Sequence, residues 1–485
     1  MLKALLKDSV LYTLPSIVSS GISLFLVPVY TRILSPADYG AFDLILLMGT
    51  FVNLTVACQI WHGVARYYSE EEDPERRVGF ASTSFWFTLP CYTTFLVVML
   101  VFSGPMSHLL LKGKGLEGIF RIGMGYLWGH GIFFLIQNQL RWELRSFQFL
   151  IANLAMTFGT AACALYFAYV LGWGLQGVLY GSLAGVLLGA TYGLWCLRGS
   201  YRLRFSGTQL REMLAFSVPL VPAGVAFFIT QYSDRFMISR FLSLRQVGIY
   251  GIGFRMASVV GIAMVGFQWA LTPLVYRNYK DPRTPERLAQ IYRLFMGGAL
   301  LACLALSVFS REILRIMTAP AYHSAVAVVP LLTPAVFLSQ MAMFAPGPNL
   351  RKKTIVVLWI NLVGATAGIV VCALLTMRFG MVGAAASTLL ACLGIFAAHM
   401  SFSQRYYPVP HSWARIATAV AGTAVLVAVG YFVVPQGLAG LLFGALLCAV
   451  GALLVVSTGL VTSGELALAG ALLRDRCGLG RRGEG

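Results

Sequence analysis

Apolar stretches of about 20 residues recur from one end of this chain to the other, separated by short charged breaks. A helix of that length crosses the hydrocarbon of a bilayer. There is no water there to satisfy a backbone N–H or C=O, so each segment must bond internally, and the chain folds as a bundle of membrane helices. Only 11% of the 485 residues are charged, 58% are hydrophobic, and mean hydropathy is +0.77. Soluble domains carry about 25% charged residues. The alternating ten-residue strands of a membrane barrel are absent from the sequence. The opening "MLKALLKD" is basic, but a long apolar run with no small-residue cleavage site follows it. It reads as a first span left in place.

Apolar runs set against charged breaks predict fourteen spans: 9–31, 39–63, 80–103, 118–138, 148–171, 174–196, 214–237, 247–274, 291–310, 324–346, 354–377, 381–403, 413–434 and 438–461. Between the first two, Pro36 and Gly40 are expected to supply the turn. With both termini inside, the short inner segments hold 25 Lys and Arg against 10 in the outer ones, and Arg255 alone lies well within a span. That bias is the positive-inside pattern. It accounts for most of the +18 net charge. Nucleic-acid binding would need a basic soluble domain, and the sequence has none.

One phrase occurs twice. "TRILSPADYGAF" (31–42) follows the first span and "SRFLSLRQVGIY" (239–250) follows the seventh. At an offset of 208, Arg32 matches Arg240, Leu34 matches Leu242, Ser35 matches Ser243, Gly40 matches Gly248 and Phe42 matches Tyr250. A second echo sets Gly174 and Gly177 at the start of the sixth span against Gly380 and Gly383 at the start of the twelfth, an offset of 206. The chain therefore divides into two six-span halves, 1–205 and 206–408, then a helix pair over 409–462 and a cytoplasmic tail over 463–485. Six is even, so both halves cross in the same sense and form parallel repeats. Transporters built this way hold substrate between lobes that rock against each other.

With spans arranged six plus six plus two, "RILSPADYGAF" after the first and "DRFMISRFLSLRQVGIYGIGFRM" across the seventh and eighth, the chain resembles a known family. It is similar to the polysaccharide-transporter branch of the multidrug/oligosaccharidyl-lipid/polysaccharide flippase superfamily, which contains the bacterial O-antigen and exopolysaccharide flippases. The resemblance implies an all-α membrane protein with two parallel six-helix lobes around a central cavity and two further helices. It implies translocation of an undecaprenyl-diphosphate-linked oligosaccharide to the outer leaflet of the bacterial cytoplasmic membrane, for lipopolysaccharide or other surface polysaccharide. In the similar lipid II flippases, cavity arginines receive the diphosphate and the last two helices form a groove for the lipid tail. This chain lacks the run of basic residues expected early in the first span of the lipid II type. A multidrug or small-molecule cation antiporter of the same superfamily is one other reading, and would normally have twelve spans and an acidic cavity; a lipid II flippase is the second.

Such a substrate needs polar groups for its sugars, because unpaired hydroxyls are costly in hydrocarbon, and cations for its phosphates. Arg binds phosphate through bidentate, charge-assisted hydrogen bonds. Arg255, deep in the eighth span, is the first candidate, since a charge at that depth should face a cavity or a partner. Arg32 and Arg240 at the outer span ends, Arg66 at an inner end, and Arg235 are the other phosphate candidates. Asn53, Gln231 and Gln268 are candidates for sugar hydroxyls. Asp43 and Asp234 are candidates for ion coupling, or for local pairing with Arg32 or Arg235. The nine cysteines and six histidines have no ligand spacing, so no metal and no cofactor is expected. With no D-x-D motif and no large external loop, enzyme activity is not expected. The expected partners are the lipid-linked oligosaccharide, membrane lipids, and a polysaccharide polymerase and glycosyltransferases acting before and after a monomeric transporter. Alkaline phosphatase fused after residue 470 should be inactive, because a cytoplasmic C-terminus withholds it from export; an active fusion would overturn the fourteen-span, both-ends-inside topology.

Overall fold

The computed structural model describes residues 2–112, 115–261, 264, 271, 275, 278–351, 353–433 and 437–461. Gln268 and the expected tail lie outside the described residues. Eleven described helices are long and apolar enough to cross a membrane. One of them, Thr354–Tyr406, is broken at Gly380 (φ 61°, ψ −143°) into the expected eleventh and twelfth spans. The shorter apolar helix Val18–Ile33 and the helix Leu244–Ala257 correspond to the first and eighth. The chain forms two compact units, residues up to 252 with 317–324 and 361–387, and 253–316 with 325–360 and the chain from 388 on.

The first unit begins with α1 (Leu2–Ile33) and α2 (Pro36–Thr55). Ser35 caps α2: its hydroxyl accepts from the Asp38 N–H, the Asp38 carboxylate accepts from the Ser35 N–H, and Pro36 takes the first helical position. These satisfy donors that a helix start leaves open. The turn therefore needs no glycine. Gly40 lies inside α2, and what it provides is the absence of a side chain.

Next come α3 (Ile60–Glu70), α4 (Pro74–Val101), α5 (Ser103–Leu111), α6 (Glu117–Trp142), α7 (Ser146–Leu165) and α8 (Gly174–Cys196). α7 ends in a π-helical turn, Tyr166–Val170. α7 and α8 pack face to face on glycines. A Cβ on Gly177 would lie 2.6 Å from the Ala168 nitrogen, one on Gly181 2.7 Å from the Cys163 carbonyl carbon, and one on Gly185 2.6 Å from the Thr160 Cα. Every obstacle is backbone or close to it, so close helix approach depends on small residues. The second echo has the same geometry in both copies. Gly174 and Gly380 have φ of +54° and +61°, which only glycine adopts freely. Gly177 and Gly383 each press on the helix just before them.

The segment that follows α8 lies along α4. The Ser82 hydroxyl donates to the Ser200 carbonyl at 3.0 Å and accepts from the Arg202 N–H at 2.9 Å. The Ser206 N–H donates to Thr83 at 3.1 Å. Arg202 and Arg204 both pair with Glu75. The chain then enters α9 (Gly207–Ser217), α10 (Val221–Phe241) and α11 (Leu244–Ala257).

The second unit is organised on α12 (Thr284–Met317), with α13 (Val329–Gln340), parts of α14 (Thr354–Tyr406), α15 (Trp413–Val433) and α16 (Leu438–Ser457). The last pair lies against α12. Gly430 and Gly444 would each place a Cβ 2.8 Å from Val308 and Phe309 respectively. Tyr292 packs edge-on to Phe344 at 5.0 Å and to His411 at 4.6 Å. Burial pushes the His411 pKa down to about 4, so this ring is neutral at physiological pH. Replacing Gly181 with Ala should separate α7 from α8 and lower the thermal midpoint in detergent, with a cost of about 1–3 kcal/mol for overpacking. Gly118→Ala, which points a methyl into open space, should leave the midpoint unchanged.

Candidate functional site

In the first unit, α2 and α10 run antiparallel in contact over most of their length. The Gln59 side-chain amide, at the junction of α2 and α3, donates to the Leu220 carbonyl at 3.2 Å. The rings of Phe51 and Phe228 lie 5.4 Å apart. Asp43 meets Arg235 with 3.2 Å between Oδ2 and Nε. Each step is about two helical turns, so the seam is a ladder of evenly spaced rungs.

At the end of this ladder the two copies of the repeated phrase meet. A Cβ on Gly40 would land on the Leu244 carbonyl oxygen and 2.9 Å from the Gly248 nitrogen. A Cβ on Gly248 would land on the Pro36 carbonyl oxygen and 2.9 Å from the Gly40 nitrogen. Pro36 and Leu244 are themselves 208 residues apart, so each contact is the other's mate under the repeat. The phrase is thus a two-part instruction. Ser35 and Ser243 cap helices, with the Gln246 N–H donating to the Ser243 hydroxyl at 3.4 Å. Gly40 and Gly248 then let the two helix starts cross at backbone distance.

Each position of the polar quartet around this crossing is polar in one copy of the repeat only. The Tyr250 hydroxyl donates to Asp234 Oδ2 at 2.5 Å, and the Asp234 Oδ1 accepts from the Arg235 N–H at 2.8 Å. The repeat mates of Tyr250 and Asp234 are Phe42 and Leu26; those of Arg235 and Asp43 are Val27 and Gly251. A Cβ on Gly251 would be 3.0 Å from the Asp43 carboxylate, so the mate of Asp43 is the residue that leaves room for it. Arg235 is 2% exposed, and its guanidinium stands over the rings of Tyr232 and Tyr250 at 5.6 and 5.9 Å. Burying a guanidinium demands such partners. The closest Arg235–Asp43 approach is not aligned as a hydrogen bond, so its attraction is mainly that of two charges.

Other segments join at the same end. The fully buried Tyr322 donates to the Leu34 carbonyl at 2.9 Å and packs edge-on to Tyr39 at 5.9 Å. Lys112 donates to the Arg240 carbonyl. Removal of water from this lysine, and then the Arg240 charge, push its pKa down.

The sequence candidates separate as follows. Arg235, Asp43 and Asp234 come together at the seam. Arg32 and Arg240 are exposed near the two helix starts. Arg66 is exposed at the other end of the bundle, 3.8 Å from Glu70 and with its guanidinium 4.9 Å from the Phe216 ring. Asn53 lies in a separate polar cluster, accepting from the Tyr92 hydroxyl at 2.8 Å and standing 3.3 Å from His130 Nδ1. Gln231 is half-buried in α10 and Arg255 half-buried near the end of α11, in the second unit. Tyr250, Tyr322, Tyr92 and His130 were not singled out by the sequence. Only the Phe42–Tyr250 mismatch within the repeat could have signalled the first of them.

Residues 29–267 match the family model described as "Polysaccharide biosynthesis protein". Among proteins with curated functions, none matches the sequence. The structure is similar to the lipid II flippase MurJ in an inward closed conformation, with a TM-score of 0.72 at 14% identity over 91% of this chain and 98% of that one. It is similar to an inward-facing multidrug resistance MATE transporter of the MOP superfamily, with a TM-score of 0.65 at 15% identity, over 82% and 97%. A Vibrio cholerae MATE transporter, VcmN, gives 0.58 at 14% identity, over 84% and 98%. The fold is therefore the one these flippase and transporter structures share. The family match covers most of the first half of the chain and the start of the second.

Removing one member of a buried ion pair costs about 3–5 kcal/mol, whereas replacing both with apolar residues is often close to neutral. Asp43→Asn should therefore lower thermal stability in detergent clearly, and Asp43→Leu/Arg235→Met should recover most of the loss. Additive losses in the double variant would show that the two residues act independently.

Proposed function

We propose that the protein is a flippase that carries an undecaprenyl-diphosphate-linked oligosaccharide across the bacterial cytoplasmic membrane by alternating access, with both termini in the cytoplasm. One observation carries this reading: a match to a polysaccharide-biosynthesis family on a fold shared, over 91% of the chain, with a flippase of another lipid-linked sugar. The two helices that follow the second repeat, α15 and α16, add support, since a MATE transporter aligns with a smaller share of the chain. The acidic groups favour it over export of a cationic drug. Asp43 already faces an arginine and Asp234 a tyrosine hydroxyl, an arrangement better suited to holding helices than to receiving an organic cation.

In this reading Arg255, Arg32, Arg240 and Arg66 are the cations for the diphosphate. Asn53 and Gln231 serve the sugars, and Asp43 or Asp234 serves ion coupling when the seam loosens. The repeats 1–205 and 206–408 are the moving lobes. A polymerase and glycosyltransferases act before and after transport. The test is surface glycan in a strain lacking its polysaccharide flippase, with membrane protein level as control. Rescue there, with no rescue of cells depleted of their lipid II flippase, is the expected result; the reverse would assign the chain to lipid II. Arg255→Ala should abolish surface glycan at normal membrane level. Arg255→Lys, which keeps the charge but loses the bidentate fork, should reduce it. Full surface glycan from Arg255→Ala would remove this residue from the mechanism.

A further inference from the structure

Four interactions converge on the crossing of α2 and α11, and each joins residues of the first repeat to residues of the second. They are the Gly40–Gly248 backbone contact, the Asp43–Arg235 pair, the Tyr322–Leu34 hydrogen bond and the Lys112–Arg240 hydrogen bond. A glycine in a helix interior costs roughly 0.5–1 kcal/mol relative to alanine. Both copies nevertheless carry glycine at this position, where any larger residue meets a carbonyl oxygen of the other copy. In a bundle whose repeats move against each other, a contact between repeats this close exists in one state and is absent in the other.

We propose that the repeated phrase is a self-complementary latch. Its two copies close the outer end of the transporter on each other, and transport requires them to part. The proposal rests on the flippase reading for the motion of the repeats and for its direction, outer rather than inner. The latch itself follows from geometry. Gly40 and Gly248 set the depth of closure. Asp43 and Arg235 hold it electrostatically, and Gly251 gives the Asp43 carboxylate its space. A methyl group at position 40 or 248 cannot be accommodated by a side-chain rotation, because its obstacle is backbone. The closed state loses stability and the open state does not, so the population shifts toward open.

Val247 is fully buried beside the latch. In spheroplasts that expose the outer face, Val247→Cys should react slowly with a membrane-impermeant maleimide. Adding Gly40→Ala or Gly248→Ala should accelerate the reaction roughly tenfold or more, the scale of a modest population shift. Gly298→Ala, whose methyl meets nothing within 4 Å, should leave the rate unchanged. Unchanged labelling in both latch variants would overturn the proposal. A second measurement guards against misfolding of the labelled chain. A Cβ on Gly251 would lie 3.1 Å from the Asp43 Cγ, which suits a disulfide, so Asp43→Cys/Gly251→Cys should bridge on oxidation. Gly40→Ala should cut the bridged fraction severalfold; no bridge in the parent, or no change with Gly40→Ala, would also overturn the latch. Failure of the flippase reading looks different. Labelling and bridging would respond as expected while no lipid-linked glycan is moved in any strain.

Discussion

Two helix starts that touch at backbone distance govern the arrangement of the first unit. Gly40 and Gly248 allow it, and nearly every polar contact described around the site depends on it. That approach brings the Asp43 carboxylate beside Gly251, with Arg235 3.2 Å away. α10 is held to α2 by its own contacts, the rungs from Gln59–Leu220 to Asp43–Arg235.

A hydrocarbon surround raises the cost of any charge that is left alone, and the protein meets that constraint by grouping its buried charges rather than scattering them. Arg235 has a carboxylate and two aromatic faces about it. The exposed arginines, Arg32, Arg66 and Arg240, stay near helix ends where water and headgroups reach them. Small residues do the remaining work of holding helices together, as in the α7–α8 hairpin and in the packing of α15 and α16 on α12. Where helices are equally apolar to lipid and to each other, close fit is the main distinction between a neighbour and the solvent.

Hydropathy made the spans legible because the bilayer imposes a length and a composition on every one of them. The repeat was legible because its two copies keep the same residues, and those residues have the same structural duties in each copy. Ser35 and Ser243 cap; Gly174 and Gly380 take left-handed backbone. What the sequence could not convey is which residues meet. Gly40 read as part of a turn because its role depends on a helix 208 positions away. For Asp43 and Arg235 the sequence left ion coupling, substrate binding and local pairing open, because an isolated charge in an apolar run looks the same whether its partner is a ligand or another helix; the pairing is the one the fold brings together. Asn53 was legible as a polar group within a span, but its neighbours Tyr92 and His130 were not.

The one-sided character of the polar quartet has a consequence for how such a chain could come to exist. In a homodimer of identical subunits, a two-fold interface puts every residue opposite its own copy. Asp43 would then face a second aspartate across the axis, two like charges in a largely buried place, or Gly251 would face a second glycine with no charge at all. Neither symmetric version can make the observed arrangement. Joining the two copies in a single gene frees each position to change without its twin. An aspartate could be kept on one side only because its counterpart was lost on the other, so this asymmetry is available to a fused protein and closed to a dimeric ancestor.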